Sequence, residues 1–160
     1  MLTWALLPLS LLFRALTAAR RWLYRAHVLP TIRVPRPVIV VGNITVGGSG
    51  KTPLVITVAQ RLRALGWNPA IVSRGYGGKK TAPRAVNPGD DPSEVGDEPL
   101  LLAEKIGAPV WTGRNRPAAA RALLRAHPEC DVVISDDGLQ HYALARDIEI
   151  IVIDGERAFG

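Results

Sequence analysis

Val-Ile-Val-Val-Gly-Asn-Ile-Thr-Val-Gly-Gly-Ser-Gly-Lys-Thr, residues 38–52, decides the fold. Val38, Ile39, Val40 and Val41 read as a short buried strand, a glycine-rich turn follows, and helical spacing begins at Lys51. In the order strand, glycine loop, helix, backbone N–H groups can turn inward on phosphate oxygens while the helix N-terminus adds its positive end. Thr45, Gly47, Gly48, Ser49 and Gly50 would form the cradle. Lys51 would reach the β- and γ-phosphates, and the Thr52 hydroxyl would ligate Mg2+. Thr45 stands where the strict G-x-x-x-x-G-K-[ST] pattern has its first glycine. The competing reading is a glycine turn that merely joins a strand to a helix. The flanking elements favour a nucleoside triphosphate.

Downstream the pattern repeats the alternation. A helix is expected over residues 51–65, stopped by Gly66, and a second apolar strand over residues 69–73. Residues 74–96, rich in Gly, Pro and Asp, read as irregular. Residues 97–106 read as a helix, 109–111 as a strand, 115–127 as an arginine-bearing helix, and 132–135 and 148–153 as strands. Apolar strands alternating with amphipathic helices imply an α/β fold: a P-loop NTPase-like parallel sheet with helices on both faces. Such sheets bind ligands beyond the carboxyl ends of their strands, so the loops after Val41, Ser73, Trp111 and Ser135 should meet at one crevice.

Several polar residues fall in those loops. Asp136 and Asp137 end a strand and suit Mg2+, although an acidic pair there is equally the mark of a turn or cap. Asp97 and Glu98 open a helix, where either carboxylate could favour the positive end or deprotonate an acceptor hydroxyl. Arg74, in Ser73-Arg-Gly-Tyr-Gly-Gly78, is a candidate anion clamp on a glycine-rich loop. Gln140 and His141 lie just beyond the acidic pair, and Arg114 and Arg116 follow the third strand. Arg121 and Arg125, four apart, read as a solvated helix face, and the lone Cys130 as a partly buried thiol.

The chain has 160 residues, 48% hydrophobic, which excludes an intrinsically disordered protein. Its net charge of +6 lies wholly in residues 1–36, which hold six arginines and no acid, whereas residues 37–160 carry 14 basic and 14 acidic side chains. A neutral body without a basic stripe argues against a nucleic-acid partner. Residues 1–13 are uncharged but rise only about 20 Å as a helix, too short for a hydrocarbon core of about 30 Å. Leu12, Ala15, Leu16, Ala19, Trp22, Leu23 and Ala26 then form an apolar stripe, with Arg14, Arg21 and Arg25 on another face. That arrangement, with Trp4, Trp22 and Tyr24 at its margins, describes a helix lying in an anionic membrane interface, or else one packed on protein. Two units follow: a membrane-associating segment, 1–36, and a phosphate-loop body, 37–160.

Five words in this chain resemble the tetraacyldisaccharide 4'-kinase family, the lipid A 4'-kinases of Gram-negative bacteria. They are VGNITVGGSGKTP (41–53), SRGYGG (73–78), GDEP (96–99), DDGLQH (136–141) and RD-EI-V-D (146–154). The resemblance implies ATP and Mg2+ as cofactors and transfer of the ATP γ-phosphoryl group to the 4'-hydroxyl of an acylated disaccharide 1-phosphate. It implies Asp97 as the base and places Lys51 and His141 in the catalytic set. Thr52, Glu98, Asp136, Asp137 and Gln140 would then serve the metal, and Asn43, Arg74 and Tyr76 the substrate. It further implies work at the cytoplasmic face of the inner membrane, and that the chain is the N-terminal half of such an enzyme. A nucleotide-binding membrane module without transfer activity is the alternative.

Overall fold

The computed structural model describes residues 7–43, 50–75 and 82–153. Helix α1 (Leu7–Arg25) is followed by β1 (Val38–Asn43), α2 (Lys51–Ala64), β2 (Pro69–Ser73), β3 (Arg84–Val86) and α3 (Pro92–Val95). Then come α4 (Asp97–Ile106), β4 (Val110–Thr112), α5 (Arg116–Ala126), β5 (Val132–Asp136) and β6 (Ile148–Val152). The strands form one sheet in the order β3-β4-β2-β5-β1-β6. Every pairing is parallel except β3 with β4.

Strand alternation divides the core in two. Ile39, Val41, Ile71 and Ile134 face Val55 and Ala59 of α2 and Leu102 of α4. Val38, Val40, Ala70, Val72 and Val133 face Ala119, Ala120 and Leu123 of α5. Continuous apolar runs are what a two-sided parallel sheet requires, since successive side chains point to opposite faces and both are covered. Each valine so buried contributes about 1.5–3 kcal/mol.

Helix boundaries follow local chemistry. Gly50, at φ 73°, precedes α2, and Gly66, at φ 86°, reverses the chain after it, a backbone region that glycine enters freely. Asn115 caps α5 by accepting from Ala118 N (3.1 Å), with Pro117 in the first turn. Arg63 of α2 donates to Ile106 O (2.6 Å) at the carboxyl end of α4, binding neighbouring helices together.

The structure corrects the sequence reading at residues 74–96. The stretch expected to be irregular holds β3 and α3, and β3 runs antiparallel to β4, so the sheet is mixed rather than wholly parallel. Three residues with only Val86 buried carry no periodicity, and their pairing is decided by β4 instead. The segment is tied from outside by Arg84, 2.6 Å from Glu94 and 3.6 Å from Asp90, and by Asp91, which caps α3 through Ser93 N (2.8 Å).

Helix α1 stands off the sheet. Its described side chains are exposed except Leu23 and Tyr24, which are half-buried; Phe13 and Trp22 keep 67% and 63% of their surface. No described helix is long and apolar enough to cross a membrane. Beyond α1 the chain is fastened to the body. Ile32 N donates to Ala143 O (2.7 Å), Ala145 N donates to Ile32 O (2.9 Å), and Val34 enters the core.

Candidate functional site

Thr45, Gly47, Gly48, Ser49 and Tyr76 lie outside the described residues. The rest of the phosphate loop's surroundings can be read directly. β1 ends at Asn43, α2 begins at Lys51, and Lys51 Nζ donates to Asn43 Oδ1 (2.8 Å) and to Asp137 Oδ1 (3.0 Å). Thr52 is half-buried in the first turn of α2. The lysine, the threonine and one member of the acidic pair therefore meet at the carboxyl edge of the sheet, as the parallel architecture demands.

The two aspartates occupy different environments. Asp137 is exposed and sits at φ 52°, a turn conformation that aspartate tolerates better than most residues. Asp136, the last residue of β5, is buried, and its Oδ2 accepts from Ser73 Oγ (3.1 Å). Burial, and secondarily the negative charge of Glu98, push the Asp136 carboxyl up to about 6; the Ser73 hydroxyl and the Arg116 guanidinium oppose that rise. Of the pair, Asp137 is the accessible oxygen donor and Asp136 the buried one, tied to Ser73.

Sequence reasoning named Arg116 only as one of two arginines facing the crevice; the structure buries it to 1% exposure. It donates to Asp136 O (2.7 Å) and Gly113 O (3.3 Å), locking the loops after β4 and β5 together. Burial lowers its guanidinium to about 10 against the raising influence of Asp136 and Asp137, so it remains charged at neutral pH. Arg114, by contrast, is exposed. The signal was available in outline, an arginine directly after a strand end, but nothing in the sequence separated Arg116 from Arg114.

Asp97 and Glu98 open α4 behind Gly96, exposed, with no side-chain cap at this helix end. Together with Ser73, Arg74 and Asp137 they line a crevice of about 220 Å3. Three carboxylates and one guanidinium thus face one small volume. His141 lies half-buried beyond it, and burial, helped by Arg116, Arg74 and Arg20 against Asp137, lowers its imidazole to about 4. It is neutral at physiological pH and can accept a proton. Gln140 is exposed. Among the described residues no three His, Cys, Asp or Glu side chains close into a metal-binding group. The oxygens that suit Mg2+ are Asp137 and Thr52, hard donors at one sheet edge.

A larger groove, about 640 Å3, runs between α1 and residues 139–151, lined among others by Arg21, Tyr24, Arg25, Arg33, Tyr142 and Arg146. Its lining shares no residue with the crevice of Ser73, Asp97 and Asp137. Elsewhere the expected bland roles hold: Arg121 and Arg125 are exposed, and burial pushes the Cys130 thiol up to about 11, leaving it unreactive.

Comparison with known proteins gives one consistent result. The sequence profile of the family described as tetraacyldisaccharide-1-P 4'-kinase matches residues 2–160. A tetraacyldisaccharide 4'-kinase of Azoarcus sp. (strain BH72) is 60% identical over 149 residues, covering 93% of this chain and 44% of that protein. Its counterpart from Methylobacillus flagellatus is 56% identical over 153 residues, 96% of this chain and 46% of that protein. The crystal structure of the "apo" form of LpxK from Aquifex aeolicus in complex with ATP superposes with a TM-score of 0.86 at 36% identity, covering 94% of this chain and 49% of that one. The chain therefore spans under half the length of the curated relatives it matches.

Proposed function

The chain belongs to the tetraacyldisaccharide-1-P 4'-kinase family, and from that premise we propose that the protein of which it is part transfers the ATP γ-phosphoryl group to the 4'-hydroxyl of an acylated disaccharide 1-phosphate, a lipid A precursor. The observation that carries this reading is the crevice shared by Asp97, Glu98, Asp137 and Arg74, with Lys51 held at its edge by Asp137.

In this reading the phosphate loop, Thr45 to Thr52, cradles the triphosphate and Lys51 neutralises its distal oxygens. Thr52 and Asp137 hold Mg2+, with Glu98, Asp136 and Gln140 as the wider metal set; the ion supplies charge neutralisation on the phosphoryl group being transferred. Asp97 accepts the proton of the sugar hydroxyl, and neutral His141 lines the metal and phosphate site. Asn43, Arg74 and Tyr76 are assigned to the acceptor, Arg74 with the fork geometry that suits a phosphate.

Residues 1–36 form the membrane-associating unit and residues 37–160 the kinase body. Helix α1, largely uncovered by the body and too rich in arginine to span, lies in the interface at the cytoplasmic face of the inner membrane, its arginines toward anionic headgroups. An acylated substrate never leaves that surface, so the enzyme must come to it. No nucleic acid is involved.

The deciding assay is phosphorylation of the disaccharide lipid by the full-length protein, abolished by Asp97→Ala. Turnover at the parental rate in that variant would remove Asp97 from its role. The span of the chain, under half of its relatives, favours one competing reading for residues 1–160 alone: nucleotide binding without transfer. ATP bound by residues 1–160 with no phosphorylated product would support it.

A further inference from the structure

Arg146 is the most heavily engaged side chain outside the crevice. It precedes β6, is half-buried, and makes a three-way fork. Nη1 donates to Leu139 O (3.1 Å) and to Glu149 Oε1 (2.8 Å), while Nη2 donates to His141 O (2.8 Å). Both carbonyls belong to the loop that carries Asp137, Gln140 and His141. Its other ties among the described residues include His141 N to Gly138 O (3.0 Å), Leu144 N to His141 O (3.1 Å), Gly138 N to Val41 O (3.3 Å) and Lys51 Nζ to Asp137 Oδ1 (3.0 Å), with Leu139 packed on the core. The guanidinium also lies over the Tyr142 ring, 5.5 Å from its centroid. Tyr142 in turn meets Tyr24 of α1 with ring centroids 5.6 Å apart, and Arg20 sits 5.9 Å from the Tyr142 centroid and 6.0 Å from that of Tyr24.

We propose that Arg146 is a positioning residue for phosphoryl transfer, holding the 137–141 loop against the sheet and joining it through Tyr142 to the membrane-facing helix. It touches neither nucleotide nor acceptor. A planar fork reaching two carbonyls and a carboxylate fixes a loop in a way that a single ammonium cannot. The Tyr142 ring gives the fork a second wall, itself backed by Tyr24 of α1. Movement of α1 on a lipid surface is thereby felt at the loop that bears Asp137. This inference rests on the reading of Asp137 and its loop as part of the metal–phosphate site, and it extends that reading to a residue outside the crevice.

The test uses the full-length protein, a fluorescent ATP analogue titrated with and without Mg2+, and the thermal midpoint. Residues that orient metal ligands from behind typically change metal affinity by about 10- to 100-fold when removed. Arg146→Gln should reduce the Mg2+-dependent gain in nucleotide affinity on the order of tenfold. Metal-free affinity, which depends on the phosphate loop, should stay within about twofold. Arg146→Lys should recover part of the gain, and Tyr142→Ala should fall between parent and Arg146→Gln. An undiminished Mg2+ gain in Arg146→Gln overturns the proposal. So does loss of metal-free binding in proportion to metal-bound binding, which is the mark of a general structural role. Should Arg146→Gln fail to fold, Arg146→Lys and Tyr142→Ala carry the same comparison, and an unchanged gain in both is fatal. Because the readout is nucleotide binding, failure of lipid phosphorylation would sink the kinase reading while leaving this result legible.

Discussion

Lys51 Nζ lies 3.0 Å from Asp137 Oδ1, so the cation that should meet the triphosphate is engaged by the carboxylate that should meet the metal. Nucleotide must compete with Asp137 for this lysine. The Asp137 side chain is 49% exposed, so the pair is worth only about 0.2–1 kcal/mol. Asp137→Asn should raise metal-free ATP affinity by up to about fivefold while lowering affinity in Mg2+, and calorimetric titration under both conditions reads the crossover. A fall in both would mean that Asp137 does not restrain Lys51.

Asp97 has no side-chain capping bond to fulfil at the start of α4. Its removal should therefore spare the fold and act on chemistry. Asp97→Ala is expected to lower kcat by about 10²–10⁴, the usual worth of a positioned base, with KM for ATP nearly unchanged. Steady-state kinetics on the disaccharide lipid separates the two.

The pH dependence of stability should show two opposed groups. The imidazole of His141 titrates near 4 when folded against 6.5 ordinarily, so the unfolded chain takes up its proton first, and stability falls as pH drops from 6.5 towards 4. The Asp136 carboxyl titrates near 6 when folded against 3.8 ordinarily, so the folded chain keeps its proton longer, and stability falls as pH rises from 3.8 towards 6. The two trends offset each other between about pH 4 and 6. Asp136→Asn removes one of them, and the urea midpoint of that variant should climb more steeply from pH 4.5 to pH 7.5 than that of the parent.

A methyl group on Gly42 would fall 2.7 Å from Leu139 Cγ. Overpacking of that kind costs about 1–3 kcal/mol. Gly42→Ala should lower stability by that amount in urea denaturation. Adding Leu139→Ala should return part of the loss, because the clash is with one side chain. Simple addition of the two single effects would show that the close approach of β1 to the loop is unimportant.

Helix α1 should respond to lipid charge. Each arginine near an anionic surface adds about 1 kcal/mol, or roughly fivefold in partitioning. Arg21→Glu and Arg25→Glu should each weaken flotation with phosphatidylglycerol vesicles by at least that factor and leave the weak binding to neutral vesicles unaltered. Equal effects on both vesicle types would replace headgroup attraction with a simple apolar contact.

Much of this molecule was legible from residue order. Residues 38–41, 69–73 and 97–106 were placed almost to the residue, because strands buried on both faces are uninterrupted apolar runs and glycine punctuates their ends. The meeting of Lys51 and Asp137 followed from parallel topology. What escaped was set by distant partners. Arg84–Val86 became a strand only because β4 lay beside it, and Arg116 was buried only because the loops after β4 and β5 closed over it. The three-way fork of Arg146 is invisible in its neighbours, since the carbonyls it binds belong to Leu139 and His141.

Strand β6 has a consequence for the phosphate loop. It is one of two outer strands among the described residues, with Ile148 and Ile151 about half exposed, yet it pairs Ile151 with Gly42 and Val152 with Asn43. The stem of the loop is thus a plank nailed on one side to buried β5 and on the other to a strand whose far edge pairs with no described strand. Loosening of β6 would therefore be felt at Asn43, the partner of Lys51. In the proposed function, whatever covers the outer edge of β6 tunes the grip on phosphate through Asn43 and Lys51, without touching phosphate at all.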